Sequence, residues 1–445
     1  MTRTTKCILW LLCGIAVCII IAVAAFVVWR VNLARDVDAK LQAIRAAGLP
    51  TSGAELNAYY PAVPDNENAA LVMTQAFALM RDLPKIELPP RTKKLTAKQW
   101  LLITACLETN HEALARARQA VLLPKSRYPV NLTPGCDALL PHIAKIRQLA
   151  TLANFETLFA LESQDRSKTV DSICFEIALS HTLDTEPLLI SQLCRGEIIS
   201  SASQLVEYCL NQTTPDGVTL LKLEKDFTLV DENGLSPSDF ISDQAIFLPY
   251  FRTNWPEIIR ICWSGSDSRP SLYTVIRGRF GWVTGLFDQD TQYYLKAMQT
   301  AIDESKRPFP ECLSLSIKMH EVAIEGHRRG FILGPGILEG LRNVLPREAE
   351  TITHVRLTTT TIAVERFRLA NGQLPENLNE LVPQFLSAVP VDPFDGQPLS
   401  YHRLAKGYVI YSVGSDGHDD GGREKPADWK SSDKTTYDIT FTVER

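Results

Sequence analysis

The chain has no surplus of positive charge: 46 lysines and arginines stand against 51 aspartates and glutamates, for a formal net charge of -5 and a pI near 6.0. Without a basic stripe there is no electrostatic footprint for nucleic acid, and none is expected as a partner. Of its 10 cysteines, Cys7, Cys13 and Cys18 lie in an N-terminal apolar run. The remainder, Cys106, Cys136, Cys174, Cys194, Cys209, Cys262 and Cys312, are odd in number and form no CxxC pair. A complete intramolecular disulfide set is therefore excluded, zinc spacing is absent, and buried free thiols are expected.

Local catalytic motifs are also missing. No GxSxG or phosphate-loop sequence occurs. HEVAIEGH at 320–327 places His327 seven residues after His320, about 10 Å along a helix and too far for one tetrahedral zinc. An exposed face with local pairs among Glu321, Glu325, Arg328 and Arg329 is expected there. GPGILEG at 334–340 misses the dinucleotide glycine spacing, so Gly334, Pro335 and Gly336 read as a turn or hinge. No fixed repeat period emerges.

What is present begins at the N-terminus, where Cys7 to Trp29 is uncharged and apolar. As a helix it is about 35 Å long at about 1.5 Å per residue, enough to cross a hydrocarbon core of about 30 Å. Arg3 and Lys6 precede it, and no small-residue cleavage pattern closes it, so it reads as an uncleaved signal anchor. Arg30, Arg35 and Lys40 follow it, and the positive-inside count does not favour translocation. Long downstream domains are exported regardless of charge. The body is read as extracytoplasmic, with a cytoplasmic body as the alternative.

The rest is ordinary globular composition, 45% hydrophobic and 22% charged over 445 residues, long enough for two or three units. A charged helix over Val31–Ala47 continues the anchor until Gly48 and Pro50 stop it. A proline-bounded turn at Pro61–Asn66 leads to a helix over Asn68–Met80, resembling the start of bacterial membrane-anchored proteins in which a tyrosine-proline turn and an ENAA helix recur. That resemblance implies no activity. Helices are expected near Thr96–Leu122, Asp137–Glu162, Ser167–Leu183 and Pro187–Leu210, with Pro187 in a first turn, as antiparallel hairpins that cover one another's apolar stripes. Loops are expected at 211–218 and 230–239. Ser236, Pro237 and Asp239 form a helix start signal, and helices follow at Asp288–Glu304 and Glu311–Arg329.

The last hundred residues differ in character. Arg347–Ala370 predicts one long helix, weakened by Thr358–Thr361 and therefore dependent on burial, ended by Asn371, Gly372 and Pro375. A short helical turn at Glu376–Val382, the turn dipeptides Asp392-Pro393 and Asp395-Gly396, and strands at Leu399–Arg403, Gly407–Val413 and Tyr437–Val443 follow. In the last strand Tyr437, Ile439, Phe441 and Val443 face one way, with Asp438, Thr440 and Thr442 opposite. The fold class is α+β: a transmembrane helix (1–30), a mainly helical domain (31–345), and a small domain (346–445) with a helix across an antiparallel sheet.

RFRLANGQLPENLNELVP, then VPVDPFDGQPLSY, then GYVIYSVGSDGHDDGG resembles the globular part of the major pseudopilin of type II secretion, with its N-G-x-x-P helix end, DPWG-like turn and SxGxDG loop. The resemblance covers about the last hundred residues and implies a pseudopilin-like fold. A pseudopilin's filament-forming helix is N-terminal, whereas the equivalent helix here is internal and polar, which argues against filament assembly. The resemblance further implies calcium at the acidic loop, with Asp416, Asp419 and Asp420 as ligands and Asp392 closing the site from the DPFDG turn. Calcium needs six to eight hard oxygens, which carboxylates and loop carbonyls supply. The bland reading is that these aspartates cap solvated turns.

The function expected is that of a single-pass membrane-anchored envelope protein with a structural or interaction role and other envelope proteins as partners. One alternative is a component associated with a type II secretion or pilus-like system. Another is a hydrolytic enzyme without a recognisable motif, which would show itself as a deep pocket gathering titratable residues from distant helices.

Overall fold

The computed structural model describes residues 3–86, 89–231, 234–263, 270–426 and 436–445. It is mostly helical, with a small three-stranded antiparallel sheet near the C-terminus. In chain order the helices are α1 (Arg3–Ala46), α2 (Gly53–Tyr59), α3 (Ala69–Leu79), α4 (Ala97–Ala120), α5 (Pro141–Glu162), α6 (Arg166–His181), α7 (Leu189–Gln212) and α8 (Gly217–Asp231). There follow α9 (Pro237–Phe247), α10 (Trp255–Trp263), α11 (Leu272–Thr284), α12 (Leu286–Glu304), α13 (Ser314–Arg328), α14 (Gly334–Leu341) and α15 (Val344–Asn371). The strands are β1 (Ser400–Arg403), β2 (Tyr408–Ser412) and β3 (Ile439–Val443).

Helix α1 joins the apolar run and the charged continuation without a break. Its apolar section is long enough to cross a membrane and stands exposed, as expected of a membrane anchor or signal sequence. Its far end does the opposite. Val37 and Leu41 are buried in a core with Phe251, Tyr294 and Met298, so the helix is seated in the body rather than tethered to it. Gly48, at φ 75°, ends the run.

Helices α3 to α7 pack each against the next, and α8 lies against α6 and α15. Thr96 caps α4 through a reciprocal pair, Gln99 N–H to Thr96 Oγ1 at 3.3 Å and Thr96 N–H to Gln99 Oε1 at 3.0 Å. Helix α7 begins at Leu189, so Pro187 lies outside it rather than in its first turn. The start signal at Ser236 holds: Asp239 accepts from Ser236 N–H at 2.8 Å, and Pro237 opens α9. Part of the loop expected at 230–239 lies outside the described residues. Sequence reading proposed no element for α10 or α11.

GPGILEG is a helix, not a hinge. Asp290 of α12 accepts from the N–H groups of Ile332 (2.9 Å), Leu333 (2.9 Å) and Gly334 (3.0 Å), capping α14 from outside its own sequence. A Cβ on Gly334 would sit 2.5 Å from Asp290 Oδ1, so glycine permits the approach. Leu338 and Leu341 then bury the apolar side.

Helix α15 carries the C-terminal part. Its threonines Thr353, Thr358, Thr360 and Thr361 are fully buried, which supplies the tertiary support their weak propensity requires. It packs on one side against α7 and α8 and on another against β2 and β3. A single core runs from α3 through α8 into Val355, Ile362, Ile410 and Phe441, across position 345. The sheet is a meander, with Tyr401 opposite Ile410 and Ile410 opposite Phe441. The polar face expected of β3 is not solvated: Thr442 and Asp438 are each 2% exposed, because α7 and the acidic loop cover that side.

Four thiols, Cys106, Cys194, Cys209 and Cys312, are buried and free as expected, but Cys262 is exposed. His320 pairs with Glu339 of α14 at 3.1 Å, and Arg329 with Glu325 at 2.8 Å, in keeping with a solvated helix face.

Candidate functional site

A cleft of about 650 Å³ opens where α7 and α15 diverge, with α13 and the SVGSDG loop at its rim. Helix α7 offers Glu197, Ser200, Ser201 and Gln204, spaced three or four apart so that they share one face. Helix α15 answers with Arg347, Glu350 and His354 on the same periodicity. Behind them the helices close tightly. A Cβ on Gly196 would lie 2.6 Å from Thr351 Oγ1, and Ser203 Oγ meets Thr358 Oγ1 at 2.5 Å. The cleft is the place where these small residues give way to longer polar ones.

Its electrostatics follow from burial. Desolvation pushes the Glu350 carboxyl up, with Arg347 and Lys425 opposing it. The same effect holds the His354 imidazole down, to about 4, so the ring is neutral at neutral pH. Beneath Ser201 lies Glu176, fully buried on α6, whose carboxyl burial raises well above the usual range while Ser201 opposes the shift. With its amide nitrogen turned to Glu176 at 2.6 Å, Asn154 accepts from Ser201 Oγ at 2.9 Å. Ser201 is thus held by the partly buried Asn154, which is itself bonded to the buried Glu176. What the arrangement offers is a set of fixed donors and acceptors with charges of both signs.

The sequence assigns no site role to any of these α7 and α15 residues. The available signal was the run of polar residues at helical spacing inside the otherwise apolar α7. Ser415 does come from the loop that was singled out, and it reaches the cleft.

The four expected calcium ligands do not converge. Asp392 is buried, and both its oxygens are occupied: Oδ1 accepts from Phe394 N–H and Ser412 Oγ, and Oδ2 from Val413 N–H, all at 2.9 Å. It therefore ties the DPFDG turn to the end of β2. Asp416 accepts from His418 N–H at 3.0 Å and Asp419 from Gly421 N–H at 2.9 Å, each closing a local turn. Asp420 differs: Oδ1 accepts from Thr436 Oγ1 at 2.9 Å, while Oδ2 is buried with no hydrogen-bond partner. Asp438, which sequence reading placed only on a strand face, accepts from the N–H groups of Asp420 (3.2 Å) and Gly422 (2.7 Å). Burial and the nearby Asp419 and Asp420 push its carboxyl up, against those two amides. Among the described residues no group of three or more His, Cys, Asp or Glu side chains is placed to hold a metal ion.

No family model, curated protein or solved structure matches the chain.

Proposed function

We propose that the chain is a single-pass membrane-anchored interaction protein of the bacterial envelope, which uses the α7–α15 cleft to hold a polar segment of another envelope protein. The observation that carries this reading is the lining of the cleft, where only Leu193, Gly196 and Pro346 lack a polar side chain. Such a surface rewards hydrogen bonding and disfavours lipid or a greasy cofactor. Against the hydrolytic alternative, the Ser201 hydroxyl in the cleft is bonded to Asn154 rather than to a histidine.

The test is photo-crosslinking in cells from benzoylphenylalanine at Gln204, with Leu139, exposed elsewhere, as control. A discrete adduct from 204 that is lost on Arg347→Glu is expected. The same adduct from 139, or one indifferent to Arg347→Glu, would overturn the reading. Protease accessibility of the C-terminus in intact and permeabilised cells tests the extracytoplasmic placement. A C-terminus cleaved only after permeabilisation of the inner membrane would place the body in the cytoplasm.

The C-terminal part is read as a pseudopilin-like module, supported by the long helix with its Gly372 cap laid on a three-stranded meander. Association with a secretion or pilus-like system rests on the same likeness and predicts co-purification with pseudopilins. Calcium remains a proposal for the loop alone. Asp420 Oδ2 supports it, and a bound ion has to draw Asp416 and Asp419 off their turn-closing amides.

A further inference from the structure

Helix α11 presents an apolar face to the outside. Leu272, Tyr273, Ile276, Phe280 and Val283 are between 52% and 76% exposed. At about 100° per residue they fall within an arc of about 100°, with Arg279 bordering one edge and Arg277 the other. The opposite side is notched to fit the body. Gly278 lies against Trp255 and Gly281 against Phe287, where a Cβ would come within 2.2 and 2.6 Å of the rings. The helix is therefore seated on its small residues with its large apolar ones outward.

Its position says what covers that face. Arg30, the first charged residue after the apolar run of α1, donates from Nε and Nη2 to the Trp282 carbonyl at 3.1 and 3.0 Å, and its Nη1 lies 2.5 Å from Asp288 Oδ2. Gly285, the left-handed cap of α11, packs against Arg30 and Leu33. Because α1 is one unbroken helix seated in the body through Val37 and Leu41, the end of the apolar run fixes where the bilayer stops. The C-terminal end of α11 is pinned at that level, within the headgroup layer of several ångströms.

We propose that α11 is an interfacial helix that lays its Leu272–Ile276–Phe280–Val283 face into the surface of the bilayer spanned by α1, with Arg279 directed to anionic headgroups while Arg277 is held by the Arg329 carbonyl and the Tyr273 hydroxyl. An apolar arc bordered by arginines is the pattern of helices that lie in the membrane plane. The proposal rests on the reading of α1 as a membrane anchor.

The test separates the two. The full-length protein is placed in nanodiscs of phosphatidylcholine and phosphatidylglycerol with benzoylphenylalanine at Ile20, Ile276, Phe280 or Leu122, the last being exposed and apolar elsewhere on the body. Lipid adducts from 20, 276 and 280, and none from 122, are expected, with a several-fold lower yield at 276 when phosphatidylglycerol is omitted. Lipid adducts from 20 alone overturn the role of α11. Adducts at 276 to a second copy of the chain overturn it as well. No lipid adduct from 20 overturns the anchor reading itself.

Discussion

Arg30 and Trp282 are joined by two hydrogen bonds, at 3.1 and 3.0 Å, from one guanidinium to one main-chain carbonyl. The pair fixes the end of the apolar run of α1 to the α11–α12 junction. It also links two segments far apart in sequence that neither periodicity nor composition connects.

Arg30→Ala removes both bonds and leaves Asp288, 6% exposed, without its cation. A loss of about 3 kcal/mol is expected, much of it from the stranded carboxylate. Arg30→Lys recovers only part, because a point charge cannot reproduce the fork. Thermal melting in detergent, with hydrogen exchange read over 272–285, checks both.

Asp290→Ala leaves the N–H groups of Ile332, Leu333 and Gly334 without their acceptor and is expected to cost about 3 kcal/mol. Asp290→Asn keeps one good acceptor oxygen and is expected to cost less. Faster exchange of the amides at 332–336, preceding global melting, is the signature. Equal melting of Asp290→Ala and the parent would refute the capping role.

Gly196→Val places a branched side chain where even a Cβ meets Thr351 Oγ1 at 2.6 Å. Overpacking at such a seam costs about 1–3 kcal/mol. The helices are expected to part and alter the cleft, so Gly196→Val should lower both the melting temperature and the crosslinking yield from Gln204.

Glu207 sets a pH dependence. Burial pushes its carboxyl up to about 7, with the Thr442 N–H and Arg91 opposing, while the ordinary value is 4.5. Between those values the folded chain holds a proton that the unfolded chain has released. Its contribution to stability therefore falls as pH rises from 4.5 through 7. Glu207→Gln keeps an acceptor for Thr442 N–H, now 2.8 Å away, and removes the titration. Relative to the parent, its melting temperature should rise between about pH 5 and about pH 8, with a ceiling of about 3 kcal/mol.

Calcium at millimolar concentration is expected to raise the melting temperature, and Asp420→Asn to abolish the rise. Asp392→Asn should lower the melting temperature equally with and without calcium, since its oxygens serve Phe394, Ser412 and Val413. No calcium response in the parent would end the ion proposal.

Much of the architecture was legible in the sequence because its signals are local. The apolar run, the Ser236-Pro237-Asp239 start and the Asn371-Gly372 stop are read from neighbouring residues, and each corresponds to an observed helix or helix boundary, whereas the alternation of the last strand marks a strand but not a solvated face. GPGILEG failed as a turn because its cap, Asp290, lies on another helix. The hydrogen bonds that Asp392 accepts from donors at 394, 412 and 413 were not legible in the sequence, because only the folded turn brings the latter two within reach. The cleft was invisible because its two faces, each unremarkable alone, belong to helices α7 and α15.

The sequence by itself determined that this chain has one long apolar N-terminal helix, a mostly helical body and a small C-terminal sheet, since periodicity and capping are properties of neighbouring residues. Only the tertiary structure decided that α15 belongs to the same core as α7 and α8, that a polar cleft opens between α7 and α15, and that α11 stands beside the end of the apolar run of α1. Those relationships depend on which surfaces bury one another, and packing joins residues that the chain keeps far apart.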